Sequence, residues 1–444
     1  MIEALSIIGL GKLGLPMAAY YCSRGFKVTG LDLNENIVDS VNRRKSPYYE
    51  PGLQEHLDIT GGNLTATTDY KIAVHNSDIS FIIVPTPSEP DGTFSTKYAE
   101  AAAASIAEAL KSKQDFHVVV LTSTVLPGTT DKIIKPILEQ GSGKKCGMGF
   151  GLCYNPEFIA LGSVIKDLAA PDAILIGESD KKSGDLLEAF YKKACTNNPP
   201  VTRMNYYNAE LAKITLNVYI TTKITLANTF AEICEKMPGG DVDVVTRFLG
   251  LDSRIGSKYL KGGLGFGGPC FPRDNLAFIQ LAKQYNVQSW LQETTHRVNQ
   301  HQNERIVDII RKKNGKLKGI NIAFLGITYK PNTDVVEQSA ALNTVLHLQK
   351  EGALISIYDP AGNENTRKEL GEKNITYAGS ALECIKGAEF VVLATTWSEF
   401  KKLRPRDFAT ASKKVVLLDC WRFFDETEFK DKVDYMVLGH GELH

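Results

Sequence analysis

Cys270 and Asp274 stand four residues apart at the end of a stretch that reads Gly-Gly-Leu-Gly-Phe-Gly-Gly-Pro-Cys-Phe-Pro-Arg-Asp, from Gly262 to Asp274. Five of its first seven residues are glycine. Glycine at this density lets a backbone come close to a ligand and take φ > 0. A thiol at the end of such a loop has the chemistry of a covalent nucleophile; a surface loop with a structural cysteine is the competing interpretation. Upstream, Lys213 and Asn217 are separated by four, which places them on one face of any helix that carries them. For that pair the competing interpretation is a solvated polar stripe.

A cofactor-binding pattern near the start of the chain favours the chemical interpretation. Leu5 to Ile8 reads as a buried strand, Gly9-Leu10-Gly11-Lys12-Leu13-Gly14 follows, and Leu15 to Cys22 reads as a helix. Phe26 to Leu31 is a second strand, ending at Asp32, eighteen positions after Gly14. In such a β–turn–α–β unit the first glycine makes the tight turn, the second admits the pyrophosphate and the third lets helix and strand pack. The helix N-terminus turns its unsatisfied N–H groups toward the phosphates. Asp32 accepts from ribose hydroxyls and repels a 2′-phosphate, so NAD is expected rather than NADP. The alternative is the same fold without a cofactor.

The same grammar continues. Ile79 to Val84 is expected as a strand ending in Pro85-Thr86-Pro87, and Val118 to Leu121 as one ending in Thr122-Ser123-Thr124-Val125. Ligands of open parallel sheets sit beyond the carboxyl ends of strands, so Thr86 and Thr124 are candidates to touch the cofactor or its water. Capping or turn threonines are the alternative. Phe150 to Tyr154 precedes Asn155-Pro156-Glu157-Phe158, and Ala173 to Gly177 reads as one more strand. From Asn208 to Lys236 the pattern turns helical, with Leu211, Ile214, Thr215, Val218, Ile224, Leu226, Phe230 and Ile233 as its apolar stripe. A helix of that length could bury the stripe against a second subunit. Further helices are expected at Asn275–Gln284 and Gln292–Lys312. From Gly319 strands return at Ile322–Leu325, Leu354–Tyr358, Phe390–Ala394 and Val415–Leu418, without a second Gly-x-Gly-x-x-Gly.

The expected fold is therefore α/β: two Rossmann-like doubly wound domains joined by a long central helix, with boundaries at 1–200, 201–312 and 313–444. Composition agrees with a globular chain. It has 444 residues, 43% apolar and 23% charged, and Lys+Arg and Asp+Glu both number 51. That balance gives no reason to expect nucleic acid or an anionic membrane as partner. The eight cysteines are scattered with no Cys-x-x-Cys pair, so no metal site and no disulfide framework are expected. The chain opens Met-Ile-Glu-Ala and enters a strand with no apolar leader, which makes a cytoplasmic location with reduced thiols the expectation.

Over nearly its whole length the sequence resembles the UDP-glucose/GDP-mannose dehydrogenases. The resemblance rests on Gly9 to Gly14, Pro85-Thr86-Pro87, Ser123-Thr124-Val125 and Asn155-Pro156-Glu157-Phe158. It continues through Lys213 with Asn217, Gly265 to Asp274, Tyr329-Lys330-Pro331-Asn332-Thr333-Asp334 and Tyr358-Asp359-Pro360. The most specific segment is Phe-Gly-Gly-Pro-Cys-Phe-Pro-Arg-Asp. The resemblance implies an N-terminal domain that binds NAD through Gly9, Gly11, Lys12, Leu13, Gly14, Asp32, Thr86 and Thr124. It implies a C-terminal domain that binds the nucleotide of a UDP-sugar, and a central helix that makes a homodimer or higher homo-oligomer.

The chemistry it implies is the four-electron oxidation of a sugar C6 alcohol to a carboxylate. Cys270 thiolate would add to the aldehyde to give a thiohemiacetal, then a thioester that water cleaves. Lys213 would stabilise oxyanions with Asn217, while Asp274, Glu157 and a water near Thr124 would manage protons. Arg254 would reach the sugar nucleotide of the neighbouring subunit. Tyr259, Lys261, Gly267 and Lys330 complete the implied substrate contacts with Glu157, Lys213 and Asn217. The chain departs from the family pattern at Ile159-Ala160-Leu161-Gly162, at Glu337-Gln338-Ser339 and at Asp419-Cys420-Trp421 with Arg422 one position later. The sugar is left open, with UDP-glucose favoured over a UDP-N-acetylhexosamine (ManNAc or GlcNAc). A two-electron hydroxyacyl-type dehydrogenase and a non-catalytic nucleotide-sugar-binding regulator are the readings from other classes.

Overall fold

Strands β1 (Ala4–Ile8), β2 (Lys27–Leu31), β3 (Leu64–Thr67), β4 (Ile79–Ile82), β5 (Val118–Leu121), β6 (Gly151–Tyr154), β7 (Ile174–Glu178) and β8 (Val201–Met204) form one sheet. Its order is β3-β2-β1-β4-β5-β6-β7-β8. Pairing is parallel except between β6 and β7, so β7 and β8 run against the rest. The interior strands are continuous apolar runs because helices cover both faces: Val118 to Leu121 and Leu5, Ile7 and Ile8 are all buried. The order reverses between β1 and β4, and the turn after β1 opens there. Helix α1 (Gly14–Ser23) follows that turn and is buried from Gly14 to Cys22. In this computed structural model residues 2–408 and 414–441 are described, and the chain divides into two compact units, Met1–Leu216 and Asn217–His444.

The second sheet contains β9 (Asn321–Leu325), β10 (Leu354–Tyr358), β11 (Ile375–Tyr377), β12 (Phe390–Leu393), β13 (Val416–Asp419) and β14 (Asp434–Val437). All of its pairings are parallel, in the order β11-β10-β9-β12-β13-β14. This is the doubly wound order of a nucleotide-binding fold. Both sheets thus agree with the expected fold class. The nine runs read as strands from the sequence, together with Phe150–Tyr154, coincide with the ten interior strands. The four that the sequence did not disclose, β3, β8, β11 and β14, are the four sheet edges. Edge strands are short and solvated along one side, so Leu-Thr-Ala-Thr or Val-Thr-Arg-Met carries no apolar run to read.

Between the sheets in sequence lie α2 (Tyr206–Cys234), α3 (Phe271–Gln284) and α4 (Trp290–Asn314), together with a ten-residue helix at Val242–Leu251 that the sequence reading did not include. The apolar stripe read along α2 is divided in the single chain. Leu211, Leu226 and Ile233 are exposed, as are Leu216 and Tyr219, while Glu210, Lys213, Asn217, Thr221, Asn228 and Glu235 are buried. Of the same stripe Ile214 and Val218 are buried, with Ala209, Ala227 and Ala231, so the inner face mixes polar and apolar residues. A periodicity count registers where apolar residues recur and does not tell which of them face the fold and which face outward. Among the described residues no helix is long and apolar enough to cross a membrane.

Candidate active site

The turn after β1 separates the roles of its glycines. Gly9 has φ 102°, and a Cβ on it would lie 2.5 Å from the Ile83 carbonyl oxygen. A Cβ on Gly14 would lie 1.9 Å from the Gly9 carbonyl oxygen, which is the tight helix–strand packing expected of the third glycine. At Gly11 a Cβ would meet nothing within 4 Å, so this is the position open to a ligand. Helix α1 begins with no side-chain cap, although Leu15 N already donates to the Gly11 carbonyl at 3.1 Å and Pro16 carries no N–H. Lys12 and Leu13 are half-buried in the turn. Asp32 braces it: Oδ2 accepts from Leu10 N at 2.9 Å and Oδ1 from Asn34 N at 2.9 Å. Each oxygen keeps acceptor capacity for a ribose. An open glycine, an uncapped helix and an acidic strand end fit a dinucleotide.

The loops after β4 and β5 are laced together. The Ser123 hydroxyl donates to the Val84 carbonyl at 2.7 Å and accepts from Val84 N at 2.9 Å. Thr86 Oγ1 donates to the Thr124 carbonyl at 2.9 Å, so Thr86 holds the backbone that presents half-buried Thr124. Farther along, Gly128 N and Thr130 N donate to the two oxygens of Glu210 at 2.6 and 2.7 Å. Glu210 is fully buried on α2, and burial raises its pKa. The sequence reading missed it, although its place three residues before Lys213 on the same helix was a usable signal.

After β6, Asn155 Nδ2 donates to the Leu175 carbonyl at 2.8 Å. The buried Tyr191 hydroxyl is 2.5 Å from Asn155 Oδ1 and 3.2 Å from Glu157 Oε1, and its one proton serves one of them at a time. Lys213 Nζ donates to the Glu157 carbonyl at 2.6 Å and lies 4.8 Å over the Phe158 ring. Burial pushes the Glu157 carboxyl up to about 7, against the opposing pull of the Tyr191 hydroxyl and the Lys213 charge. A carboxyl that titrates near neutrality can both take and give a proton.

In the C-terminal unit the thiol sits at the head of a helix. Cys270 caps α3 and, among the eight cysteines, is the exposed one. The partial positive charge of a helix N-terminus favours a thiolate there. One turn on, Asp274 N donates to the Cys270 carbonyl at 2.8 Å. The Asp274 side chain is fully buried and accepts from Asn217 Nδ2 at 2.6 Å and from Arg273 Nε and Nη2 at 3.2 and 3.1 Å. Asn217, Arg273 and Asp274 therefore fix the first turn of the helix that carries the thiol.

The glycine run before Cys270 is packed against protein, which amends the expectation that its glycines mainly clear room for a ligand. A Cβ at Gly263 would lie 2.6 Å from the Trp421 ring, at Gly265 2.7 Å from Asn299 Oδ1, and at Gly267 2.3 Å from the Gln338 carbonyl oxygen. At Gly268, with φ 85°, it would lie 2.7 Å from the Tyr329 ring. Asn299 clasps the strap, accepting from Phe266 N at 2.7 Å and donating to Phe266 O at 2.9 Å. Two departures from the family pattern are part of this seat. Trp421 covers Gly263 and donates its indole N–H to the Ala394 carbonyl at 2.8 Å. Arg422, nearly buried and at φ 54°, reaches Asp243 Oδ1 and Oδ2 at 2.9 Å and the Gly262 carbonyl at 2.7 Å.

The remaining named positions are more open. Arg254 is 86% exposed and pairs with Asp252 in its own turn, Tyr259 is exposed at φ 64°, and Lys261 is exposed. Lys330 stands in the loop after β9, its Nζ 5.9 Å over the Tyr329 ring. Leu161 packs partly buried on the N-terminal core. Nothing in the structure gives Glu337 a particular role.

Comparison with known proteins matches three segments in succession. Residues 3–195 match the NAD binding domain of the UDP-glucose/GDP-mannose dehydrogenase family, 207–301 its central domain and 323–426 its UDP binding domain. A UDP-glucose 6-dehydrogenase of Haloferax volcanii is 37% identical over 430 residues, 96% of this chain and 98% of that protein. One of Rhizobium meliloti is 36% identical over 431 residues, covering 96% of each chain. Among solved structures, a UDP-glucose dehydrogenase from the archaeon Pyrobaculum islandicum superposes with a TM-score of 0.89 at 33% identity, over 98% of this chain and 97% of that one.

Proposed function

The chain belongs to the UDP-glucose/GDP-mannose dehydrogenase family, and on that premise we propose that it is an NAD-dependent enzyme that oxidises the C6 alcohol of UDP-glucose to the carboxylate of UDP-glucuronate. The observation that carries the proposal is the exposed Cys270 at the head of α3, on a helix turn fixed by Asn217 and Asp274. A two-electron alcohol dehydrogenase has no use for such a thiol.

Residues 1–200 hold NAD, 201–312 carry the thiol and pair with a second copy of the chain, and 313–444 hold the UDP portion of the substrate. Gly9, Gly11, Lys12, Leu13, Gly14, Asp32, Thr86 and Thr124 form the dinucleotide site. Bound there, NAD supplies a hydride acceptor for each of the two oxidations. Between them Cys270 thiolate bonds to the C6 aldehyde carbon, and the carbonyl oxygen takes the negative charge and then a proton. Loss of the second hydride from that carbon, together with the hydroxyl proton, leaves a Cys270 thioester, and water adds to its carbonyl carbon, releases the carboxylate and returns the thiol. Lys213 and Asn217 donate to the oxyanions. Glu157, titrating near neutrality, takes the proton of the attacking water, with Thr124 positioning it. Asp274 holds Asn217. Arg254, Tyr259, Lys261, Gly267 and Lys330 contribute to binding the substrate, Arg254 from the neighbouring copy.

The test is to assay UDP-glucose, UDP-GlcNAc, UDP-ManNAc and GDP-mannose in parallel for NADH formed per substrate consumed. Two NADH per UDP-glucose and no comparable turnover of the others support the assignment. A preference for an N-acetylated sugar moves the assignment within the family, one NADH per substrate replaces it with a two-electron dehydrogenase, and none points to a binding protein.

A further inference from the structure

In each sheet the strand beside the first one ends on an aspartate, and the two are used differently. Asp32, at the end of β2, takes one backbone N–H on each oxygen and keeps room for a ribose. Asp359, at the end of β10, is 2% exposed and accepts six hydrogen bonds. Its Oδ2 receives Ile327 N at 2.8 Å, Thr328 N at 3.0 Å, Thr328 Oγ1 at 2.8 Å and Trp397 Nε1 at 3.1 Å. Its Oδ1 receives Ala361 N at 3.0 Å and Gly362 N at 2.8 Å. A carboxylate offers about four lone-pair sites, so these donors saturate it. The turn after β9 is as tight as the one after β1: Gly326 has φ 87°, and a Cβ there would lie 2.4 Å from Thr395 Cβ, as one on Gly9 would lie 2.5 Å from the Ile83 carbonyl oxygen. Thr395 Oγ1 donates to the Thr328 carbonyl at 2.6 Å. The acceptor capacity that Asp32 keeps for a ribose is spent at Asp359 on the chain's own donors.

We propose that Asp359 is a positioning residue that turns the ribose-binding place of a dinucleotide fold into an internal anchor, fixing the loop Gly326–Lys330 so that this sheet holds one nucleoside diphosphate and no dinucleotide. The inference rests on the reading that the C-terminal unit binds the UDP of the substrate. The anchored loop carries Lys330 and also Tyr329, whose ring lies against Gly268, two residues before Cys270. Through this loop Asp359 shapes both the nucleotide's seat and one wall of the thiol's strap.

The test is calorimetric titration of the full-length chain with UDP and, separately, with NAD. Asp359→Asn puts an NH2 group against N–H donors, and should weaken UDP about tenfold or more while leaving NAD affinity unchanged. Trp397→Phe removes one donor and keeps an aromatic ring in place; it should weaken UDP about threefold with NAD unchanged. A purely structural role would lower the melting temperature without this split between ligands. Wild-type UDP affinity in an Asp359→Asn chain that still binds NAD overturns the inference. If Asp359→Asn loses NAD binding too, Trp397→Phe decides: weakened UDP supports the inference, and unchanged UDP overturns it. A wild-type chain that binds NAD and no UDP overturns the proposed function, and this inference with it; a wild type that binds UDP beside unaffected variants overturns this inference alone.

Discussion

Replacing Cys270 by serine keeps a hydroxyl at the head of α3 and removes a thiolate, because serine ionises far less than cysteine. Turnover should fall by about 10³-fold or more, while NAD and UDP affinities and the melting temperature hold, since neither the Gly9–Gly14 turn nor the glycine strap is touched. A structural cysteine would give the opposite pattern, near-normal NADH release and a stability loss of about 1–3 kcal/mol. Glu157 makes a prediction in pH. Its folded pKa, about 7, lies above the ordinary 4.5, so across that interval the folded chain keeps a proton that the unfolded chain has lost. The stability from this group is fully present below pH 4.5 and is lost as pH rises through about 7. If Glu157 is the base for thioester hydrolysis, kcat should fall on the acid side of pH 7, where it is protonated. In Glu157→Gln the residual rate should lack that limb and the melting temperature should lose that slope. An unchanged acid limb in the variant would assign it to another group.

At the scale of elements, α2 and the loops it braces invite a different substitution. Glu210 receives Gly128 N and Thr130 N inside the protein, so Glu210→Ala leaves two buried donors unsatisfied. The expected cost is about 2–4 kcal/mol of stability, with kcat reduced because the segment from Thr124 to Thr130 loses its brace. Thermal unfolding and steady-state kinetics measured together check this, and a stable variant at full rate would count against the brace. What the sequence disclosed follows from the same physics. Interior strands such as Val-Val-Val-Leu at β5 are buried on both faces and announce themselves; the four edges mix polar residues into short runs and stay silent. The thiol loop, the lysine–asparagine pair and the Gly9–Gly14 turn were legible because their chemistry requires those residue types at those spacings. The roles of Glu210, Tyr191, Asp359 and Arg422 were not, although Glu210 shares a helix with Lys213 and Asp359 and Arg422 stand in noted segments, because each acts through a backbone group or side chain distant in sequence. Their partners are 82, 36, 32 and 160 residues away for Gly128, Asn155, Ile327 and Gly262 respectively.

For the whole molecule, the outward face of α2 presents Leu216, Tyr219, Leu226 and Ile233, and the helix Val242–Leu251 presents Val244, Val245, Phe248 and Leu251. Exposed apolar area on this scale marks an association surface, and in the proposed function its partner is a second copy of the chain. Light scattering at micromolar protein should give at least a dimer, and Tyr219→Glu with Phe248→Glu should give a monomer of much reduced activity. A fully active monomeric wild type would remove the proposal that Arg254 serves the neighbouring copy. The apolar residues that α2 leaves exposed carry one more consequence. In the proposed dimer the exposed apolar side chains of that helix are covered by a second copy, and part of the folding free energy is then bimolecular and obeys mass action. The unfolding temperature should climb as the protein is concentrated, and serial dilution should inactivate the enzyme along a second-order equilibrium rather than a first-order decay.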